Sequence, residues 1–219
     1  AASSPYRLTS PSVLLAFPSG LSMFEDNIAF TLMALKAAPW ADKLIVTART
    51  GGDRRDEGGI SVFIVDKGAD GVTTRDYPTV DGRRASEVYF ENVSVGADAL
   101  IGGAGEGLPL IEQVVDEAVA ATCAEAVGAM GALLKMTSEY ASTRKQFGVA
   151  IATFQAISHR LADMKIAYTK ARSTLLYTAA LSEAGNASSR DISVLKGQIG
   201  KLGVAIGESA IQIHGGVGM

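Results

Sequence analysis

Gly102-Gly103-Ala104-Gly105-Glu106-Gly107 divides this chain into two textures, and the fold follows from what lies on either side of it. Glycines so close together interrupt both helix and strand, so an element boundary falls here. Upstream, Leu44-Ile45-Val46, Ile60-Ser61-Val62-Phe63-Ile64-Val65, Val72 to Tyr77 and Glu87-Val88-Tyr89-Phe90 are short β-rich runs. Gly71, Asp81-Gly82 and Asn92 punctuate them, and the hydrophilic stretch Gly51 to Gly59 reads as a hairpin connection. Links this short cannot hold the crossover that parallel strands need, so antiparallel pairing is expected.

Downstream, Leu108 to Tyr140, Gln155 to Leu181 and Ile192 to Ile213 are long segments with apolar residues at helical spacing. Ser189 is placed to cap the third. Ala118, Ala121, Ala124, Gly128 and Gly131 would let a neighbouring helix come close. Three such helices cannot bury all their faces alone; they need a fourth helix, the strand region or another subunit. The expected fold class is α+β, a partial antiparallel β domain over residues 41–103 followed by an antiparallel helical bundle over residues 104–219. Residues 1–40 stay unassigned, because Pro11, Pro18 and Pro39 interrupt every period; Phe24 to Lys36 suits a helix or a buried strand plus turn.

Composition narrows the function classes. Of 219 residues, 47% are hydrophobic and 20% charged, which excludes a disordered chain. A formal net charge of -3 with no long Lys/Arg block gives a nucleic-acid-binding role little electrostatic support. The single cysteine, Cys123, lies in an alanine-rich run and reads as a small core residue in a reducing compartment. With only His159 and His214 beside it, no zinc set is expected. Ala1-Ala2-Ser3-Ser4-Pro5 does not open a signal peptide, and Val13 to Phe17 and Ile28 to Leu35 are too short to cross a bilayer. The expectation is a cytoplasmic protein without a membrane span.

Two stretches carry candidate chemistry. Arg144-Lys145-Gln146-Phe147-Gly148 offers a guanidinium fork, a second cation, an amide and an apolar anchor at a turn. A guanidinium matches two oxygens of a diphosphate at once, although cations also sit at helix ends for the dipole alone. Gln212-Ile213-His214-Gly215-Gly216-Val217-Gly218-Met219 would expose backbone N–H groups to an anion, or simply stop a helix. No strand precedes it, so it is not a dinucleotide fingerprint, and His214 alone suits packing as well as chemistry.

Taken in order, Arg144 to Gly148, Phe154-Gln155, His159, Leu161-Ala162-Asp163-Met164 and Gln212 to Met219 resemble the C-terminal domain of the acyl-CoA dehydrogenase family. Ala41 to Val46, Val88 to Val93 and Gly105-Glu106-Gly107 resemble the second half of its middle β domain and the exit from it. The resemblance covers residues 41–219, and Ala121 to Met130 is most similar to the small subunits of bacterial two-subunit members. It implies FAD as cofactor, held between the β and helical domains and completed by a neighbouring subunit. It implies Arg144 and Gln146 at the partner's flavin diphosphate with Phe147 beside them; Gln212, Gly215 and Gly216 along the adenosine diphosphate; and Gln155 near the same cofactor. The implied reaction is α,β-dehydrogenation of an acyl-CoA, with an electron-transfer flavoprotein as acceptor and a homo- or hetero-oligomer as the working form.

The sequence departs from the family at three places. The glutamate base that many members carry just after the terminal glycines would lie beyond Met219. The alternative position for that base falls on Ala118, with Val119 where many members have arginine; of the neighbouring Asp116 and Glu117, Asp116, on the same face as 119, is the better outside candidate. At the front, neither the N-terminal helical domain nor the early β-domain segment of the family is found. A non-catalytic small subunit that completes a larger partner's flavin site is therefore the rival reading, and a purely structural helical module is a third.

Overall fold

The computed structural model describes residues 6–8, 38–53 and 55–219, so the expectation for Phe24 to Lys36 lies outside the described residues. The chain forms two compact units, residues 1–112 and residues 113–219.

In the first unit, β1 (Tyr6–Leu8) pairs with β6 (Val93–Val95), β2 (Lys43–Arg49) with β3 (Ile60–Asp66), β4 (Val72–Pro78) with β5 (Arg84–Phe90), and β3 also with the short β7 (Leu100–Ile101). All four pairings are antiparallel, as the short connections require. The register sets Leu44 opposite Val65, Val46 opposite Phe63 and Ala48 opposite Ser61, so one face of the hairpin is buried along its length. Ile45 and Ile64 oppose each other on the other face and stay exposed. Val88, Phe90, Val93 and Val95 join the buried face to make one core.

The loop between β2 and β3 is held by Arg49, whose guanidinium donates to the carbonyls of Gly51, Asp56 and Gly58. The glycine stretch that divides the sequence runs beside the start of β3: Gly59 N–H donates to Gly105 O at 2.9 Å, and Gly105 N–H to the buried Ser61 hydroxyl at 2.8 Å. At Gly107 a β-carbon would stand 2.9 Å from the Ile60 carbonyl oxygen, so only glycine lets the following helix begin against this strand.

α1 (Gly107–Thr143), α2 (Gln155–Glu183) and α3 (Ser189–His214) follow. Their apolar stripes meet in a second core of Cys123, Val127, Met130 and Ala141 from α1, Met164 and Ala171 from α2, and Leu195, Ile199, Ile206, Ala210 and Ile213 from α3. Cys123 is buried, and burial pushes its thiol above the usual range, as a packing residue requires. Gly131 gives α2 its close approach, with the Tyr168 ring against it; Ala121, Ala124 and Gly128 are exposed instead.

One expectation needs correction. The cap of α3 is Ser188, not Ser189: the Ser188 hydroxyl accepts from Asp191 N–H while the Asp191 carboxylate accepts from Ser188 N–H, a capping box that takes Asp191 as its second member. Sequence reading placed Leu108 to Tyr140 as a long helix but weighed only Val13 to Phe17 and Ile28 to Leu35 against a bilayer, and not α1. By length and composition it could cross a membrane, with an 18-residue window of mean hydropathy 1.4 that is only 17% buried. Alanines and glycines spread around the helix raise its hydropathy without forming one broad stripe.

Candidate functional site

Arg144 stands where α1 ends. Its N–H donates to Tyr140 O at 2.8 Å, closing the last helical turn, and its own carbonyl accepts from Ile151 N–H at 2.9 Å. Between these anchors β8 (Lys145–Gln146) and β9 (Val149–Ala150) form a hairpin, Lys145 opposite Ala150 and Gln146 opposite Val149. The two residues left for its turn are Phe147, at φ 53°, and Gly148, at φ 83°. Two positive φ angles mark the mirror-image turn that matches strand twist; glycine takes it freely, a phenylalanine does not.

Phe147 is also 93% exposed, and its ring meets that of Phe154 edge-on at 6.2 Å. Arg144, Lys145 and Gln146 are exposed too, and the Gln146 amide donates to the neighbouring Lys145 carbonyl, 2.7 Å away. A bulky apolar side chain held in a costly conformation and aimed at solvent, next to two cations and an amide, is a surface built for contact with something else.

The second group lies at the end of α3. Gln212 is exposed, His214 is half-buried, and Gly215 turns the chain at φ 63°, ψ −135°, a region closed to other residues. Gly215 to Gly218 then form one tight turn with exposed backbone. The two groups share one end of the helical unit, because Tyr140, at the foot of the hairpin, stacks on His214. Gln155 opens α2, exposed, next to the Phe154 that meets Phe147. Sequence reading missed Tyr140, although an aromatic residue one helical turn before Arg144 was the available signal.

Asp116 is elsewhere. Its carboxylate accepts the Ser189 hydroxyl at 2.7 Å and so ties α1 to the start of α3. Ala118 is half-buried on α1 and has no group that takes a proton.

Residues 105–219 match the family model for the acyl-CoA dehydrogenase C-terminal domain, and residues 33–93 that for its middle domain. The chain belongs to the acyl-CoA dehydrogenase family. Among its relatives is a probable acyl-CoA dehydrogenase of Bacillus subtilis, YngJ, 34% identical over 184 residues that make up 83% of this chain and 48% of the relative. The L-prolyl-[peptidyl-carrier protein] dehydrogenase of a Serratia species is 32% identical, over 83% of this chain and 48% of that protein. Among solved structures, PigA with FAD and proline superimposes with a TM-score of 0.79 at 33% identity, covering 84% of this chain and 48% of PigA. Butyryl-CoA dehydrogenase from Megasphaera elsdenii gives a TM-score of 0.75 at 29% identity, over 83% and 48% of the two chains. The chain thus spans about half the length of the relatives it matches, and it has the family's β region followed by helices.

Proposed function

We propose that this chain is part of an FAD-dependent enzyme that dehydrogenates an acyl thioester, acyl-CoA first among them, and that its exposed helix ends hold the cofactor of a neighbouring subunit in a homo- or hetero-oligomer. The observation that carries this reading is Phe147, left-handed, exposed and flanked by Arg144, Lys145 and Gln146. In this assignment the Arg144 fork takes two oxygens of the flavin diphosphate, Gln146 donates its amide, and Phe147 packs beside them. Gln212, Gly215 and Gly216 line the adenosine diphosphate, where backbone N–H groups at a glycine turn suit an anion, and Gln155 stands near the same cofactor. Bound flavin supplies a hydride acceptor, reoxidised by an electron-transfer flavoprotein. This chain's own residues bind and orient; neither the Arg144 hairpin nor the Gly215 turn holds a carboxylate that could remove the α-proton.

Bound flavin, read from its visible absorbance in purified protein with any co-purifying subunit, tests the proposal. Flavin in the wild type and its loss in Arg144→Ala are expected; a folded wild type without flavin would sink it.

A second reading, a non-catalytic subunit completing a larger partner's site, draws on Ala118 and on the engagement of Asp116 by Ser189. Dehydrogenation of an acyl-CoA by this chain with no partner would end it.

A further inference from the structure

The rings of Tyr140 and His214 are stacked, centroids 4.5 Å apart and planes at 27°. Each stands at the root of one of the two segments assigned to the cofactor. Tyr140 offers its carbonyl to Arg144 N–H, and His214 is the residue before Gly215. The histidine is fixed from two further sides. Its Nδ1 lies 2.9 Å from the Ala210 carbonyl, and a β-carbon at Gly218 would stand 3.0 Å from its own β-carbon, so the terminal turn folds against it. Buried Ala141 follows Tyr140 on α1, and buried Ala210 lies one helical turn before His214 on α3.

We infer that Tyr140 and His214 are a positioning pair, which sets the spacing between the Arg144 hairpin and the Gly215 turn so that both meet one diphosphate-bearing cofactor without rearrangement. This rests on the flavin reading above. Two exposed segments that moved independently would each be ordered on binding, and that entropy would be taken from affinity; a ring contact made on folding removes the cost beforehand. The faces of the rings do this, because the Tyr140 hydroxyl has no partner among the described residues.

FAD affinity separates this role from simple packing. In the purified protein, with any co-purifying subunit, the apparent Kd for FAD is read from quenching of flavin fluorescence, and the unfolding midpoint is read without flavin. Tyr140→Leu is expected to raise Kd about three- to tenfold, the range that an aromatic pair can contribute. Tyr140→Phe restores the affinity. His214→Gln gives a similar rise, and the double substitution is little worse than either single one, because the rings act as a unit. A Tyr140→Leu or His214→Gln protein that unfolds more easily yet binds FAD like the wild type overturns the inference. Should Tyr140→Leu fail to fold, His214→Gln and Tyr140→Phe decide it by the same readings. Unchanged affinity in Arg144→Ala, or no flavin binding in the wild type, instead removes the cofactor reading itself.

Discussion

The ring of Phe147 meets the ring of Phe154 edge-on, at 6.2 Å and 84°, from a backbone held at φ 53°. One aromatic contact offsets only part of the cost of a left-handed bulky residue, about 1 to 2 kcal/mol. Phe147→Asn, which accepts that conformation, should stabilise the flavin-free protein by roughly 0.5 to 1 kcal/mol and weaken flavin retention. Denaturant unfolding and flavin content, measured on the same preparation, check both halves. A destabilised variant would show that Phe147 serves the fold instead.

At the start of α3, the Ser188 hydroxyl and backbone N–H both hold the Asp191 carboxylate, and these hydrogen bonds, the hydroxyl's first, keep its pKa below the usual value. A carboxylate depressed in the folded state adds stability that is present above its unfolded pKa, near 4, and lost as pH falls through the folded value. The acid limb of the stability curve should therefore be shallower in Asp191→Asn. Ser188→Ala, which removes the cap itself, should cost about 1 kcal/mol at neutral pH by thermal unfolding.

The hydroxyl of Thr137 is buried in α1 without a hydrogen-bond partner among the described residues. Valine has nearly the same shape and nothing to desolvate. Thr137→Val is expected to stabilise by about 1 kcal/mol, since an unsatisfied buried hydroxyl costs about 1 to 3 kcal/mol. Loss of stability on urea unfolding would mean that the hydroxyl is satisfied in solution.

Asp116 is a tether if its bond to Ser189 is its task. Asp116→Asn keeps an acceptor and should lose under about 0.5 kcal/mol, whereas Asp116→Ala should lose about 1 kcal/mol. Flavin reduction by an acyl-CoA, followed at the visible band, should survive in Asp116→Asn. Its abolition at unchanged stability would make Asp116 the base.

Elements were legible wherever burial repeats in the sequence. Leu44, Val46, Phe63 and Val65 alternate because one face of their sheet is dry, and Leu195, Ile199, Ile206 and Ile213 recur at helical spacing because one side of α3 is. The cap slipped by one residue because Ser188 and Ser189 are chemically equal in sequence; only the partner of each hydroxyl, Asp191 or Asp116, distinguishes them. At the candidate site, Arg144 to Gly148 stood out as a motif, but the handedness of Phe147 did not, since strain is a property of φ and not of residue type. The stack of Tyr140 on His214 escaped for another reason: 74 positions separate the two rings, and no local period reaches that far.

The Arg144 hairpin has a practical consequence. Its base is closed by the bond from Ile151 to Arg144, and the exposed run from that base to the tip carries two trypsin sites, Arg144 and Lys145, and a chymotrypsin site, Phe147. A cut there severs α1 from α2, so the fragments ending at Lys145 or Phe147 in a brief digestion would count the copies whose tip is open. Limited proteolysis thus reads occupancy of this surface directly, without an acyl substrate.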